Sequence, residues 1–243
     1  ICGGPWLGIE VQGNSDEIQA AAYQGVLEIN GGTIENAICA VKTYKPDPLM
    51  ETDPLDPQYS GLEGWTGGMV LATNATFRNN RMGVVFPYYR LGNTSFFERC
   101  TFETTGTLPD ESTPGYFVTM NSITGVHFYG CTFQNTNPDP TLVPENRGSG
   151  IYSYNSSLYL MENSSTSTMG TFSKLYYGVR DLSAGVNWPS VVEKQNFLDN
   201  FRGIYLSGRN YTDFTENQFR PYNEQVSQNP QTYGAYFDQC TGY

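Results

Sequence analysis

The chain has 243 residues and a formal net charge of −11, with 24 acidic against 13 basic residues and its four lysines scattered. Nothing in so acidic a chain neutralises phosphates, which argues against nucleic acid and anionic membrane surfaces as partners, and no apolar run is long enough for a membrane-spanning helix. Hydrophobic residues at 38%, aromatics at 14% and 26 glycines favour short strands and tight turns over long helices.

The chain starts at Ile1, inside a motif and without a Met, so it reads as a piece of a longer protein. Residues 2–13 alternate apolar side chains at Leu7, Ile9 and Val11, a strand pattern. Residues 14–24 form a loop or a short helix, opened by the capping signal Ser15-Asp16-Glu17. Residues 25–41 then hold the first copy of a recurring unit, an apolar residue followed six positions later by Ala or Gly and seven later by another apolar residue. The intact copies are Ile34/Ala40/Val41, Phe77/Gly83/Val84, Phe172/Gly178/Val179 and Phe197/Gly203/Ile204. Three more keep both halves around an insertion: Phe102 with Gly115/Tyr116, Phe133 with Gly150/Ile151, and Phe219 with Gly234/Ala235. Between the first and second copies, residues 45–65 carry Pro46, Pro48, Pro54 and Pro57, the composition of a surface loop that bears function or covers an edge.

Within each unit the apolar alternation has period two, as at Val84/Phe86, Tyr116/Val118 and Ile204/Leu206, not the helical i, i+3, i+4 spacing. Repeated strand units that cannot bury an apolar face alone imply a solenoid in which each coil is covered by the next. The expectation is an all-β fold, a single right-handed parallel β-helix of about seven coils spanning residues 1–243. Phe77, Phe102, Phe133, Phe172, Phe197 and Phe219 then share one interior column. A small Gly at the turn permits positive φ, and Asn79-Asn80 and Asp199-Asn200 occupy one equivalent turn. The insertions, at 103–114, 134–149 and 220–233, all project from one flank. Cys100 and Cys131 fall in the same slot of successive coils, either as a reduced buried stack or as a strained bridge, since strand spacing of about 4.8 Å exceeds the Cβ separation a disulfide wants. Five cysteines leave at least one without an internal partner.

With its coils placed, the chain resembles the pectin-lyase-like right-handed β-helix superfamily. More narrowly, the opening CGGPWLGIEVQGN followed by GTIENAICAV is similar to regions of large secreted bacterial surface proteins exported by the type IX route, in which a Trp-x-Gly-Ile-x-Val strand precedes a Gly-x-Ile-x-Asn-Ala repeat. The resemblance implies an extracellular location and a separate C-terminal sorting domain. It carries little about activity. The polygalacturonase-like branch of the superfamily has Asn-Thr-Asp, Asp-Asp, Gly-His-Gly and Arg-Ile-Lys motifs, and this chain has none of them.

Other chemistry is sparse. His127 is the single histidine and lacks a catalytic flanking pattern. A calcium lyase needs carboxylates from adjacent coils and a basic residue. Arg180-Asp181 with Asp199, or Glu193, Lys194 and Asp213, come nearest without stacking convincingly. Asp47, Glu51, Asp53 and Asp56 offer oxygens for Ca²⁺ without the spacing of a calcium loop, so no cofactor is assigned. Five Asn-x-Ser/Thr sequons, at Asn74, Asn93, Asn155, Asn163 and Asn210, carry little weight in an Asn- and Thr-rich repeat.

One pattern remains. Side chains alternate along a strand, so the residue after the inward apolar one points out: Lys42, Val85, Phe117, Tyr152, Arg180, Tyr205 and Tyr236, with Tyr154 two positions beyond Tyr152. An outward aromatic row is a contact surface, a face covered by the 45–65 loop, or ordinary exposed sheet. Phe117, Tyr152, Tyr154, Arg180, Tyr205 and Tyr236 are therefore the candidate ligand or partner residues. The expected function is that of a non-catalytic extracellular module in adhesion, spacing or surface assembly. Its partners would be the parent chain or neighbouring copies stacked coil on coil, and glycans. A polysaccharide-binding or polysaccharide-degrading protein is the alternative.

Overall fold

The structure, a computed structural model, describes residues 4–45, 64–139, 141–222 and 232–241. Strands follow one another with a period of three, each pairing in parallel with the strand three places further along the chain. Sheet I contains β1 (Ile9–Glu10), β4 (Cys39–Lys42), β7 (Met82–Phe86), β10 (Tyr116–Asn121), β13 (Ser149–Tyr154), β16 (Tyr177–Leu182), β19 (Arg202–Ser207) and β22 (Tyr233–Asp238). Sheet II contains β2 (Val26–Asn30), β5 (Met69–Thr73), β8 (Phe96–Glu98), β11 (His127–Tyr129), β14 (Leu158–Met161), β17 (Ser190–Glu193) and β20 (Thr212–Thr215). Sheet III contains β3 (Thr33–Glu35), β6 (Thr76–Arg78), β9 (Thr101–Thr104), β12 (Thr132–Asn135), β15 (Gly170–Ser173), β18 (Gln195–Leu198) and β21 (Gln218–Arg220). Three long parallel sheets wound by one chain are consistent with a parallel β-helix. Residues 14–24 form turns and no helix, and the helical turn at Pro144–Arg147 is of the 3-10 type.

The core is a set of columns running across the coils. On sheet III the register aligns Ile34, Phe77, Phe102, Phe133, Phe172, Phe197 and Phe219, each directly over the next. Successive rings from Phe77 to Phe219 lie 4.6, 4.8, 4.6, 5.0 and 4.9 Å apart with planes within 10°. The strand spacing thus sets a near-parallel ring stack, and truncating one such ring to Ala costs about 3–5 kcal/mol. On sheet II the inward column is Ile29, Ala72, Phe97, Phe128, Leu160, Val192 and Phe214. Phe97 and Phe102 meet edge to face at 5.6 Å across the interior.

The glycines of the repeat have a different cause from the one their position suggested. Gly83, Gly150 and Gly178 do not adopt positive φ; a Cβ on each would lie 2.3–2.5 Å from a carbonyl oxygen of the next strand. They are there because two backbones and a Phe ring meet. Positive φ falls instead on the turn residues Asn79 (50°) and Asp199 (56°). The residues after them add a clamp. The buried Asn80 amide accepts from Ala37 N at 2.8 Å and donates to Ile34 O at 2.9 Å. Asn200 does the same to Leu175 N (3.0 Å) and Phe172 O (2.8 Å), tying each turn to the coil before it.

Cys100 and Cys131 are register neighbours, since Thr101 pairs with Thr132, and both are buried and unbridged. The Cys131 thiol donates to Phe97 O at 3.2 Å. Burial pushes the Cys131 thiol up, while its hydrogen bond to Cys100 pushes Cys100 down. The interior also holds an ion pair, Asp181–Arg209, with both side chains fully buried. Ser190 Oγ donates to Asp181 at 2.5 Å and Arg209 reaches Ser153 at 3.3 Å. All three insertions lie between a sheet III strand and the next sheet I strand, β9 to β10, β12 to β13 and β21 to β22, and so share one corner of the coil.

Candidate functional site

The outer face of sheet I carries the aromatic row, in a register the structure corrects at one position. Lys42 pairs with Val85, Val85 with Thr119, Thr119 with Tyr152, Tyr152 with Arg180, Arg180 with Tyr205, and Tyr205 with Tyr236. Thr119, not Phe117, stands in the row. The insertion before β10 is two residues longer than the Gly115/Tyr116 landmark implies, so Val118 pairs with Val84 and Ile151. Phe117 takes the slot that glycine holds in the neighbouring coils and packs into the core, 2% exposed. Tyr154 pairs with Asn121 and Leu182, in the row two residues along from Tyr152.

A second outward row runs three residues earlier, at the corner where the chain enters the sheet. Tyr116 pairs with Ser149, and Tyr177 with Arg202, which pairs with Tyr233. The signal for it was present as the residue immediately before each glycine: Tyr177-Gly178, Arg202-Gly203 and Tyr233-Gly234. Strict alternation hides it, because the corner breaks the period.

The two rows interlock. Arg180 lies over the Tyr152 and Tyr177 rings at 5.8 and 5.6 Å, and Arg202 over Tyr177 and Tyr176 at 5.0 and 5.2 Å. Arg202 also donates to the Tyr177 hydroxyl. Tyr205 and Tyr236 stack at 5.6 Å and 10°, and Tyr233 tilts against Tyr236 at 5.5 Å. Burial pushes the Tyr233 phenol up, and that of Tyr116 likewise despite the opposing Arg180, so both stay protonated at neutral pH. Tyr177, Arg180, Arg202, Tyr205, Thr232, Tyr233 and Tyr236 enclose a depression of about 580 Å³. The ring stacking decides what this depression offers. Tyr205 and Tyr236 cover one face of each other, and the Tyr205 hydroxyl donates to Asp238 Oδ2 at 3.3 Å.

Toward β4 the same face is closed. Cys39, Tyr44, Met82 and Val85 form an apolar cluster separate from the main core, and Lys42 is buried beside them. Tyr44 reaches this position through a bridge to Thr66, with Lys45 over the Trp65 ring at 4.9 Å. Residues 46–63 of the loop expected to cover this face, with Asp47, Glu51, Asp53 and Asp56, lie outside the described residues.

The other candidate groups do not assemble. Asp181 points inward to Arg209, whereas Asp199 sits at the insertion corner, bound by Arg220 at 2.6 and 3.0 Å. Lys194 bonds Glu162 at 2.5 Å and lies 3.9 Å from Glu193, while Asp213 pairs with Val191 on sheet II. The His127 ring stacks on Tyr159 at 4.4 Å, with Nδ1 2.7 Å from Gly125 O. No cluster of three metal-ligating side chains occurs among the described residues. A second, polar concavity of about 470 Å³ lies on the insertion flank, where Arg147 covers the Tyr222 ring at 4.4 Å beside Asn137, Asp139 and Lys174. No family model, curated protein or solved structure matches the chain.

Proposed function

We propose that this chain is a non-catalytic module of a secreted or surface protein, a right-handed β-helix of about seven coils, pectin-lyase-like and of the type IX cargo kind. It acts in adhesion through the outer face of sheet I. The observation that carries the reading is the lining of the depression: four tyrosines, two arginines and a threonine, with no carboxylate or histidine among the described residues. Guanidinium and phenol groups hold and orient a ligand through hydrogen bonds. The rigid ladder beneath fixes their spacing, which suits a binding surface.

The test is to incubate the protein with a panel of neutral and acidic polysaccharides, measuring retention by affinity electrophoresis and product release by reducing-end and unsaturated-sugar assays. Retention of at least one polymer without release, weakened by Tyr236→Ala, is expected. Release of sugars would replace this reading with that of a lyase or hydrolase.

A further inference from the structure

We infer that the groove on the insertion flank binds a neutral saccharide chain, whose hydroxyl groups are met by Thr104, Asn137 and Asp139. It shares no lining residue with the sheet I depression and does not rest on the reading of that face. The concavity of about 470 Å³ continues, through Asn135, Asn137, Asp139 and Leu142, into a smaller one of about 130 Å³ between the first two insertions. Thr104 lines the smaller part and Tyr222 the larger. The groove thus crosses the coils of β9, β12, β15, β18 and β21, about 19 Å at the spacing of parallel strands. That length suits a chain better than a single small molecule.

One side chain points to a ligand. Thr104 is 1% exposed, and its Oγ1 makes no hydrogen bond among the described residues. A buried hydroxyl left so is destabilising, and a ligand hydroxyl reaching it from the groove removes the penalty. In the same pocket, local turns occupy one half of each polar group and leave the other. Asn137 Oδ1 accepts from Asp139 N at 3.1 Å, which leaves the amide NH2 as a donor. Asp139 Oδ1 accepts from Thr141 N and Oγ1 at 2.8 and 2.7 Å, which leaves Oδ2 as an acceptor. The Asn135 amide is already bonded to Arg147 O and Asn137 N, and so holds the turn in place. A donor and an acceptor on successive turns match a hydroxyl, which donates and accepts at once. Charge selects no ion, because Arg147 and Lys174 line the groove together with Glu111, Asp139 and Asp199. The hydrogen bond from Thr141 holds the Asp139 carboxyl below the usual carboxylate range, so it stays ionised at neutral pH and repels an acidic polymer.

The experiment follows the thermal midpoint of the whole chain, and affinity by calorimetric titration, with dextran, mannan, a soluble β-glucan or polygalacturonate. At least one of the three neutral polymers is expected to bind and raise the midpoint, with little change between low and high salt, and polygalacturonate is not. Without polymer, Thr104→Val should leave the midpoint unchanged or raise it, since it keeps the shape and removes an unpaired hydroxyl. With polymer it should lower affinity about three- to tenfold, and Asp139→Asn should lower it too. Both changes are repeated on Tyr236→Ala, so that any binding by the sheet I face is weakened first. The inference is overturned if no neutral polymer binds, if polygalacturonate binds as tightly as the best of them, or if Thr104→Val is silent in that background. Binding that Tyr236→Ala abolishes and Thr104→Val does not touch would sink the groove and leave the sheet I face standing. Binding that Thr104→Val weakens while Tyr236→Ala is silent supports the groove and counts against that face.

Discussion

The two ends of the outer face of sheet I share one backbone ladder and have opposite fates. Toward β4, Lys42, Cys39, Met82 and Val85 are closed over by Tyr44. Toward β22, Arg180, Arg202, Tyr205, Tyr233 and Tyr236 line an open depression. Parallel pairing is equally regular at both, so strand geometry does not decide which end is a surface. Side-chain chemistry does: at one end Cys39, Met82 and Val85 form an apolar cluster with Tyr44, whereas the other end is lined by tyrosines and two arginines, polar groups that are costly to bury.

The contrast breaks most severely beneath the open end. Asp181→Ala leaves Arg209 buried with no counter-charge and should cost about 3–5 kcal/mol in a denaturant titration; a smaller loss would mean the interior admits water there. Next comes the covered end, where Met82→Ala should cost about 2–5 kcal/mol as a core truncation does. If it costs no more than a surface change, Tyr44 does not seal the face. At the open end Tyr236→Ala should stay within about 0.5 kcal/mol in stability while weakening ligand retention, which separates a binding residue from a packing one.

The smallest effect is one of pH. Full burial raises the Asp181 carboxyl above its ordinary value, against the pull of Arg209, Ser190 and Ser153. The folded state therefore binds this proton more tightly than the unfolded state, and stability falls as pH rises through the window between the unfolded value and the raised folded one. Relative to Asp181→Asn, the native chain should gain thermal midpoint as pH drops from neutral toward about 4. A relative loss would show that Arg209 dominates and holds the carboxylate ionised.

Much of this was legible in the residues. The ring column from Phe77 to Phe219 follows from one spacing, because a period-two strand with a fixed coil length returns equivalent residues to the same place. The asparagine turns were also readable, although the amide clamps of Asn80 and Asn200 were not, since they bind a coil one repeat away. The outward row was readable at most positions, across two of the three insertions as well: Tyr152, Arg180, Tyr205 and Tyr236 align as their spacing says. It failed at Phe117, where a long insertion hid a two-residue shift and a bulky ring took a glycine's slot.

Sequence by itself therefore determined which side chains face inward in every coil but that of Phe117, and that the coils stack, because both are local consequences of strand period and repeat length. Tertiary structure alone decided the register across the insertion before β10, the pairing of Asp181 with Arg209, the joining of Tyr177, Arg202 and Tyr233 to the outer row, and the covering of one end by Tyr44. Each of these depends on contacts between residues far apart in the chain, and no local period encodes which distant groups share one dry space.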